Sequence, residues 1–233
     1  MNKAKIAAVM QPYLFPYLGY FQLIYASDIF VLYDDVNYIK QGYINRNVIL
    51  ATNHTQRLIL PVHKASSFSP IKALSFSNDV HKILKQIRYA YQNKKYFKDV
   101  YPIIETILTQ QDRRIAAVCF SMLTAIFSYL NLNRKIFFSS DIDYDRTGSA
   151  SEKIISLCHR LGAGTYINSA GGMALYQADN FLQKNIELKF LKMREISYFQ
   201  GADSFHANLS IIDVLMNCSP EQLGELLTEY DLL

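Results

Sequence analysis

The stretch Ile6-Ala7-Ala8-Val9-Met10-Gln11-Pro12, followed by Tyr17 to Ala26 and then by Asp28-Ile29-Phe30-Val31-Leu32-Tyr33, decides the fold. Five consecutive apolar residues read as a strand, and Pro12 stops it because proline has no backbone N–H for the ladder. The segment Tyr17–Ala26 is apolar all round, as a helix buried on every side must be. A second unbroken apolar run, Ile29 to Tyr33, completes a βαβ unit. Strands that are apolar on both faces imply a parallel sheet covered by helices on each side. The expected class is therefore α/β with a mostly parallel sheet.

Working outward, Arg46–Leu50 and Arg57–Val62 flank the polar turn Ala51-Thr52-Asn53-His54-Thr55 and read as a small β-hairpin over one edge. Ser77 or Asn78 is placed to cap a helix whose Val80, Ile83, Leu84, Ile87 and Tyr91 share one face, and Pro102 suits the first position of another helix running through Leu108. From Ile115 to Leu132 no residue is charged, yet Ser121, Thr124, Ser128 and Asn131 dilute the run and its apolar residues recur at helical spacing. This is expected to be a buried helix and not a membrane span.

Alternation then resumes, with strands Ile136–Phe138, Thr165–Ile167 and Ile186–Leu191 separated by helices near 150–161 and 175–183. Ser149 with Glu152, Ser210 with Asp213, and Ser219 with Gln222 each have capping-box spacing. No repeat or low-complexity linker interrupts the chain, so residues 1–233 are expected to form a single α/β domain with a mainly helical insertion at about 78–132.

The 233 residues are 50% hydrophobic and 19% charged, which excludes a disordered chain. The net charge of +4 is dispersed without a basic tract, so no nucleic-acid partner is expected, while a small anionic substrate is compatible. Tyr is abundant (17) and Trp absent, and Tyr suits pocket walls and subunit interfaces, which leaves a homo-oligomer open. Cys119, Cys158 and Cys218 lie far apart with no CxxC spacing, as buried thiols of a reducing compartment would. Lys3 and Lys5 precede an apolar run too short for a signal peptide, so the expected location is cytoplasmic.

Ligands of an open parallel sheet bind beyond the carboxyl ends of its strands. The residues expected there are Gln11, Asp34-Asp35, Ser139-Ser140-Asp141, and Asn168-Ser169 with Gly171-Gly172. Two adjacent carboxylates repel unless protonated or paired, so Asp34 and Asp35 can be a catalytic base, metal ligands or one half of a salt bridge. Asn45-Arg46-Asn47 offers a guanidinium fork for phosphate or carboxylate, or a surface Arg at a hairpin's start. Gly171-Gly172 ahead of a helix reads as anion-binding amides or as a turn. The five histidines have no metal spacing, no metal site is expected, and no cofactor is indicated. Walker, GxGxxG and GxSxG motifs are absent.

Met10-Gln11-Pro12-Tyr13-Leu14-Phe15-Pro16-Tyr17-Leu18-Gly19-Tyr20-Phe21, Ser27-Asp28, Asp34-Asp35-Val36-Asn37-Tyr38, Asn45-Arg46-Asn47, Thr165-Tyr166-Ile167-Asn168-Ser169 to Gly172, Leu175-Tyr176 and Leu209-Ser210-Ile211-Ile212-Asp213 together resemble the WbqC-like family. That family is associated with lipopolysaccharide O-antigen and surface-polysaccharide gene clusters. The resemblance implies a cytoplasmic step on a nucleotide-linked sugar, with a transferase that attaches an acyl or aminoacyl group to an amino sugar as the leading expectation. The first βαβ unit is also similar to HIGH-signature nucleotidylyltransferases, which implies a Rossmann-like, HUP-type fold. Tyr17 and Tyr20 replace that signature's histidines and Gly19 remains, so an ATP-using nucleotidylyltransferase or ligase is the second expectation and a non-catalytic partner of a biosynthetic enzyme the third. On the first, Asp34 or Asp35 acts as base and Arg46 holds the diphosphate. Gln11, Asn45, Asn168, Ser169, Gly171 and Gly172 orient the substrate, and Phe15, Pro16, Tyr17, Gly19, Tyr20 and Tyr166 wall the pocket.

Overall fold

Alternation of short apolar strands with helices folds as the pattern requires. The computed structural model describes residues 4–233, and Lys3 lies outside the described residues. In chain order the elements are β1 (Lys5–Met10), α1 (Leu18–Ala26), β2 (Ile29–Leu32), β3 (Arg46–Ala51), β4 (His54–Ile59), α2 (His81–Tyr91), α3 (Phe97–Thr109), α4 (Ile115–Tyr129), β5 (Ile136–Phe138), α5 (Ala150–Leu161), β6 (Ala163–Ser169), α6 (Ala178–Leu182), β7 (Glu187–Met193), α7 (Ile211–Asn217), α8 (Pro220–Leu226) and β8 (Tyr230–Leu232).

Strand order in the six-stranded sheet is β5-β2-β1-β6-β7-β8. The pairs β5–β2, β2–β1, β1–β6 and β6–β7 are parallel, and β8 adds an antiparallel edge. This is a Rossmann-like sheet, with β3 and β4 forming a separate antiparallel hairpin. Alternate residues of β1 feed the two faces. Ala8 belongs to a core with α1, α4 and α7, whereas Ala7 and Val9 belong to one with α5. Both faces are sealed from water at Ala7 and Ala8, and each fully buried Leu or Ile around them contributes about 2 kcal/mol.

The uncharged helix α4 is buried through Val118, Cys119, Met122, Leu123 and Ile126, and the core that contains it also contains residues of the hairpin, α2 and α3. Among the described residues no helix is long and apolar enough to cross a membrane. Ser149 with Glu152 and Ser219 with Gln222 form reciprocal capping boxes, and Gly162 ends α5 in the left-handed conformation at φ 64°.

Several local expectations are corrected. Neither Ser77 nor Asn78 caps α2, which starts after Val80 with no side-chain cap. The Ser77 hydroxyl instead accepts from the Asp79 N–H, forming a short turn ahead of the helix. Pro102 lies inside α3, which begins five residues earlier at Phe97. The second hairpin strand starts at His54, because a two-residue turn, Thr52-Asn53, suffices. The helix expected at 175–183 is a 3₁₀ segment, Ala170–Leu175, followed by the short α6. Ser210 does cap α7, but Asp213 does not return to it.

Candidate functional site

Strand order sets β1 and β6 side by side at the centre of the sheet, where successive crossovers leave in opposite directions. Open α/β sheets bind ligands in the crevice beyond this point. The loop leaving β1, residues 11–17, borders it and is held by segments distant in sequence. Asn47 on β3 donates its side-chain amide to the carbonyl oxygens of Leu14 (3.2 Å) and Phe15 (2.5 Å). Ser210 at the start of α7 donates its hydroxyl to the same Phe15 carbonyl at 2.7 Å, and the Ile211 N–H donates to the Pro16 carbonyl at 2.8 Å. Phe15 has φ 44°, a left-handed conformation that costs a residue other than glycine about 1 kcal/mol or more. Two donors on its carbonyl keep it there.

This loop opens onto a cavity of about 310 Å³ lined by Tyr13, Pro16, Tyr17, Tyr43, Asn47 and Asn208. The Tyr13 and Tyr43 rings are 6.1 Å apart at 50°. Burial raises the Tyr13 and Tyr17 hydroxyls above the usual phenol range, and the neighbouring phenols push the same way. Both therefore stay protonated at neutral pH and act as uncharged donors and acceptors. A second cavity of about 170 Å³ shares Tyr17 and Asn208 with the first, and its wall includes Leu18, Met193, Ile196, Leu209 and Val214.

Of the residues expected at the site, Pro16 and Tyr17 line the first cavity. Phe15 and Tyr20 are each 1% exposed and serve the core. Tyr20 packs its ring on Phe30 and donates its hydroxyl to the Gln11 carbonyl at 2.9 Å. Gly19 makes room for the Tyr17 ring, since an added Cβ there would stand 2.8 Å from the Tyr17 Cζ. Tyr166 is fully buried on the α5 face of the sheet, stacked on Phe181 at 5.6 Å, and lines neither of these two cavities.

Gln11, Asn45 and Arg46 share a property with Gln22, Arg113, Arg134 and Tyr166 elsewhere in the fold. Gln11 Oε1, Asn45 Oδ1 and Arg46 Nε are buried without a hydrogen-bond partner among the described residues. Such groups cost free energy and call for a specific explanation. Asn45 meanwhile donates to the Leu60 carbonyl at 3.1 Å, and the Arg46 guanidinium opposes the upward shift that burial gives Tyr38.

Asp35 forms a salt bridge with Arg146, whereas Asp34 is held by serine donors alone. Asp34 accepts from the Ser140 N–H (2.9 Å) and the Ser140 hydroxyl (2.8 Å). Asp35 accepts from the Ser139 hydroxyl (2.6 Å), the Tyr144 hydroxyl (3.0 Å) and Arg146 Nε (2.8 Å), with its side chain only 4% exposed. Arg146 also donates to the Tyr144, Ser139 and Ile142 carbonyls and lies 4.2 Å above the Tyr144 ring. The carboxylates tie the 139–146 segment to the end of β2, and neither lines the two cavities described above. Arg146 and Tyr144 are not visible as partners in the sequence, because nothing in their local spacing points to β2.

At the end of β6, Asn168 accepts from the Ser169 N–H at 2.8 Å. A Cβ on Gly172 would fall 2.7 Å from the Asn168 amide nitrogen, so Gly172 makes room for that side chain. Gly171 and Gly172 sit within the 3₁₀ segment and are not the first amides of an α-helix, which corrects the helix-end reading. His63 and His206 line neither cavity, and among the described residues no group of three or more His, Cys, Asp or Glu is placed to hold a metal.

A buried acid lies behind the second cavity. Asp213 on α7 accepts from the Tyr91 hydroxyl (2.8 Å), the Tyr198 hydroxyl (2.8 Å) and the Gln200 amide (3.0 Å). Gln200 in turn bonds the His206 backbone, and Lys94 donates to the Gln200 carbonyl at 2.5 Å. The acid so fixes residues 198–206, next to the cavity wall. Burial raises the Asp213 carboxyl above its usual range against the pull of its three donors and Lys94.

No solved structure gives a significant match to the chain. It is 26% identical over 222 residues to an uncharacterized protein of Mycobacterium tuberculosis, an alignment covering 93% of this chain and 95% of the relative. Phe15, Asn47 and Ser210, joined at one carbonyl oxygen, come from three separate motifs, and the family model that matches residues 11–225 spans all three, so the chain belongs to the WbqC-like protein family.

Proposed function

We propose that the protein is a cytoplasmic transferase that attaches an acyl or aminoacyl group to an amino sugar carried on a nucleotide diphosphate, in lipopolysaccharide O-antigen or surface-polysaccharide biosynthesis. The observation that carries the reading is the convergence of β3 and α7 on the 11–17 loop at the central crevice, beside a cavity walled by tyrosines. A Rossmann-like sheet supports a nucleotide there, and family membership supports the pathway.

In this reading Arg46 holds the diphosphate with its guanidinium, and the unpaired Gln11 and Asn45 oxygens accept from substrate N–H or O–H groups. Asn168 and Ser169 orient the ligand from the β6 side. The sugar amine attacks the acyl carbonyl, a nitrogen–carbon bond forms, and the bond to the donor's leaving atom breaks. The proton released by the amine goes to the departing group. Asp34 and Asp35, expected as the base, line neither cavity, so this reading gives them the fastening of the neighbouring loop and leaves the proton to the departing group.

The test is incubation of the full chain with nucleotide-linked amino sugars and acyl thioesters, with mass spectrometry of the sugar product. N-acylated sugar is the expected result. Pyrophosphate release on addition of ATP and magnesium, without acylation, would replace this reading with the nucleotidylyltransferase one, and stabilisation by no small ligand at all would favour the non-catalytic partner. Unchanged affinity for the nucleotide-sugar in Arg46→Ala would remove the clamp.

A further inference from the structure

We infer that the two cavities meeting at Tyr17 and Asn208 are separate substrate subsites, the tyrosine-walled one for the uncharged sugar ring and the aliphatic one for the acyl group. The inference rests on the transferase reading and divides its site.

The first cavity has aromatic faces and amide and phenol groups, and no charged side chain lines it. That lining does not suit a diphosphate. It suits a polyhydroxylated ring, whose C–H face packs on an aromatic plane while its hydroxyls bond to neutral donors and acceptors. The ring planes argue further. Tyr13 is inclined by 50° to Tyr43, so these two rings do not form a parallel clamp for a flat nucleobase, whereas tilted walls fit a puckered ring.

The second cavity differs in kind. Leu18, Met193, Ile196, Leu209 and Val214 give it an aliphatic wall. Its cation, Arg194, is engaged by Asp231 at 2.6 Å and Glu229 at 3.5 Å. Tyr198, Phe205 and Glu195 also line it, Glu195 being exposed to solvent, and the aliphatic wall favours an alkyl chain, which enters by leaving water. Because both cavities share Tyr17 and Asn208, ligands filling them present their inner ends to each other at those two residues. There the sugar amine meets the carbonyl of an acyl thioester. The nitrogen–carbon bond forms, the carbon–sulfur bond breaks, and the thiolate takes the proton the nitrogen loses.

Calorimetric titration of the full chain with UDP-glucosamine, UDP, butyryl-coenzyme A and coenzyme A tests the division. Tyr43 is exposed and Ile196 packs half-buried against the edge of the core, so circular dichroism first confirms that Tyr43→Ala and Ile196→Ala are folded. Tyr43→Ala is expected to weaken UDP-glucosamine about tenfold and leave UDP and butyryl-coenzyme A unchanged. Ile196→Ala is expected to weaken butyryl-coenzyme A but not coenzyme A or UDP-glucosamine. Equal weakening of UDP and UDP-glucosamine by Tyr43→Ala, or exchange of the two patterns, would overturn the subsite assignment. Wild-type protein that binds no member of a panel of UDP-, dTDP- and GDP-linked amino sugars would overturn the transferase reading beneath it.

Discussion

The Ser210 hydroxyl donates to the Phe15 carbonyl oxygen at 2.7 Å, across 195 positions of sequence. The same oxygen accepts from Asn47 at 2.5 Å, so β3 and α7 fasten one strained residue of the central loop. Both donors are buried, at 0% and 5% exposure, and loss of either leaves a buried carbonyl under-satisfied.

Asn47→Ala and Ser210→Ala are each expected to cost about 2 kcal/mol by urea unfolding, with unchanged m-values. Because the two donors share an acceptor, the double variant is expected to depart from additivity by about 0.5 kcal/mol or more. Strict additivity in the cycle would show that the two clamps act independently.

Removal of Arg146 strips the nearly buried Asp35 of its cation. Since the guanidinium is itself 42% exposed, Arg146→Ala is expected to cost about 2 kcal/mol, below the full penalty of a buried pair. Arg146→Lys is expected to recover less than half, because an ammonium cannot reproduce bonds to Asp35 and three carbonyls from one planar group. Thermal unfolding of the three proteins side by side decides the matter, and full recovery by lysine would reduce the cluster to simple charge.

Asp213 gives a pH signature of the opposite sign to most carboxylates. Its folded pKa is raised, chiefly by burial, so the proton binds the folded state more tightly than the unfolded one. The stability it contributes is complete below the ordinary aspartate value of 3.8 and is lost as pH rises through the folded value. Relative to Asp213→Asn, the wild type should therefore gain stability as pH falls from neutral into the acid range. Denaturation curves from pH 7 to 4 showing the wild type losing ground to the variant would contradict this.

Much of the fold was legible because local rules and global packing agree. The apolar runs at Ile6 and Ile29 could only be buried parallel strands, and the caps at Ser149 and Ser219 close as their spacing requires. The failures have a common physical source. Ser210 and Asp213 have the spacing of a capping box, yet the acid turns to Tyr91 and Tyr198 because burial makes two phenol donors worth more to it than one backbone N–H. Strand β8 is a Tyr-Asp-Leu tripeptide with no strand pattern of its own, formed by pairing with β7. Tyr13, Tyr43 and Asn208 come from three loops, and only the folded chain brings them to one cavity.

The thiols provide a separate check. Burial raises Cys119, Cys158 (to about 12) and Cys218 (to about 11), and all three are free and buried. The thiolate is the reactive form, so Ellman's reagent is expected to find no fast-reacting thiol in the native protein and three after denaturation. A stoichiometric fast thiol in native protein would place one cysteine at an accessible position.

The span from Phe15 to Ser210 also orders events on the ribosome. At about 5–20 residues per second, translation leaves the left-handed loop unclamped for roughly 10–40 seconds after Phe15 is made, until α7 emerges. Strand β1 waits nearly as long for its neighbour β6. During this interval the nascent chain exposes an apolar, half-paired strand, and a chaperone able to shield it would raise the yield of folded protein without touching the finished molecule.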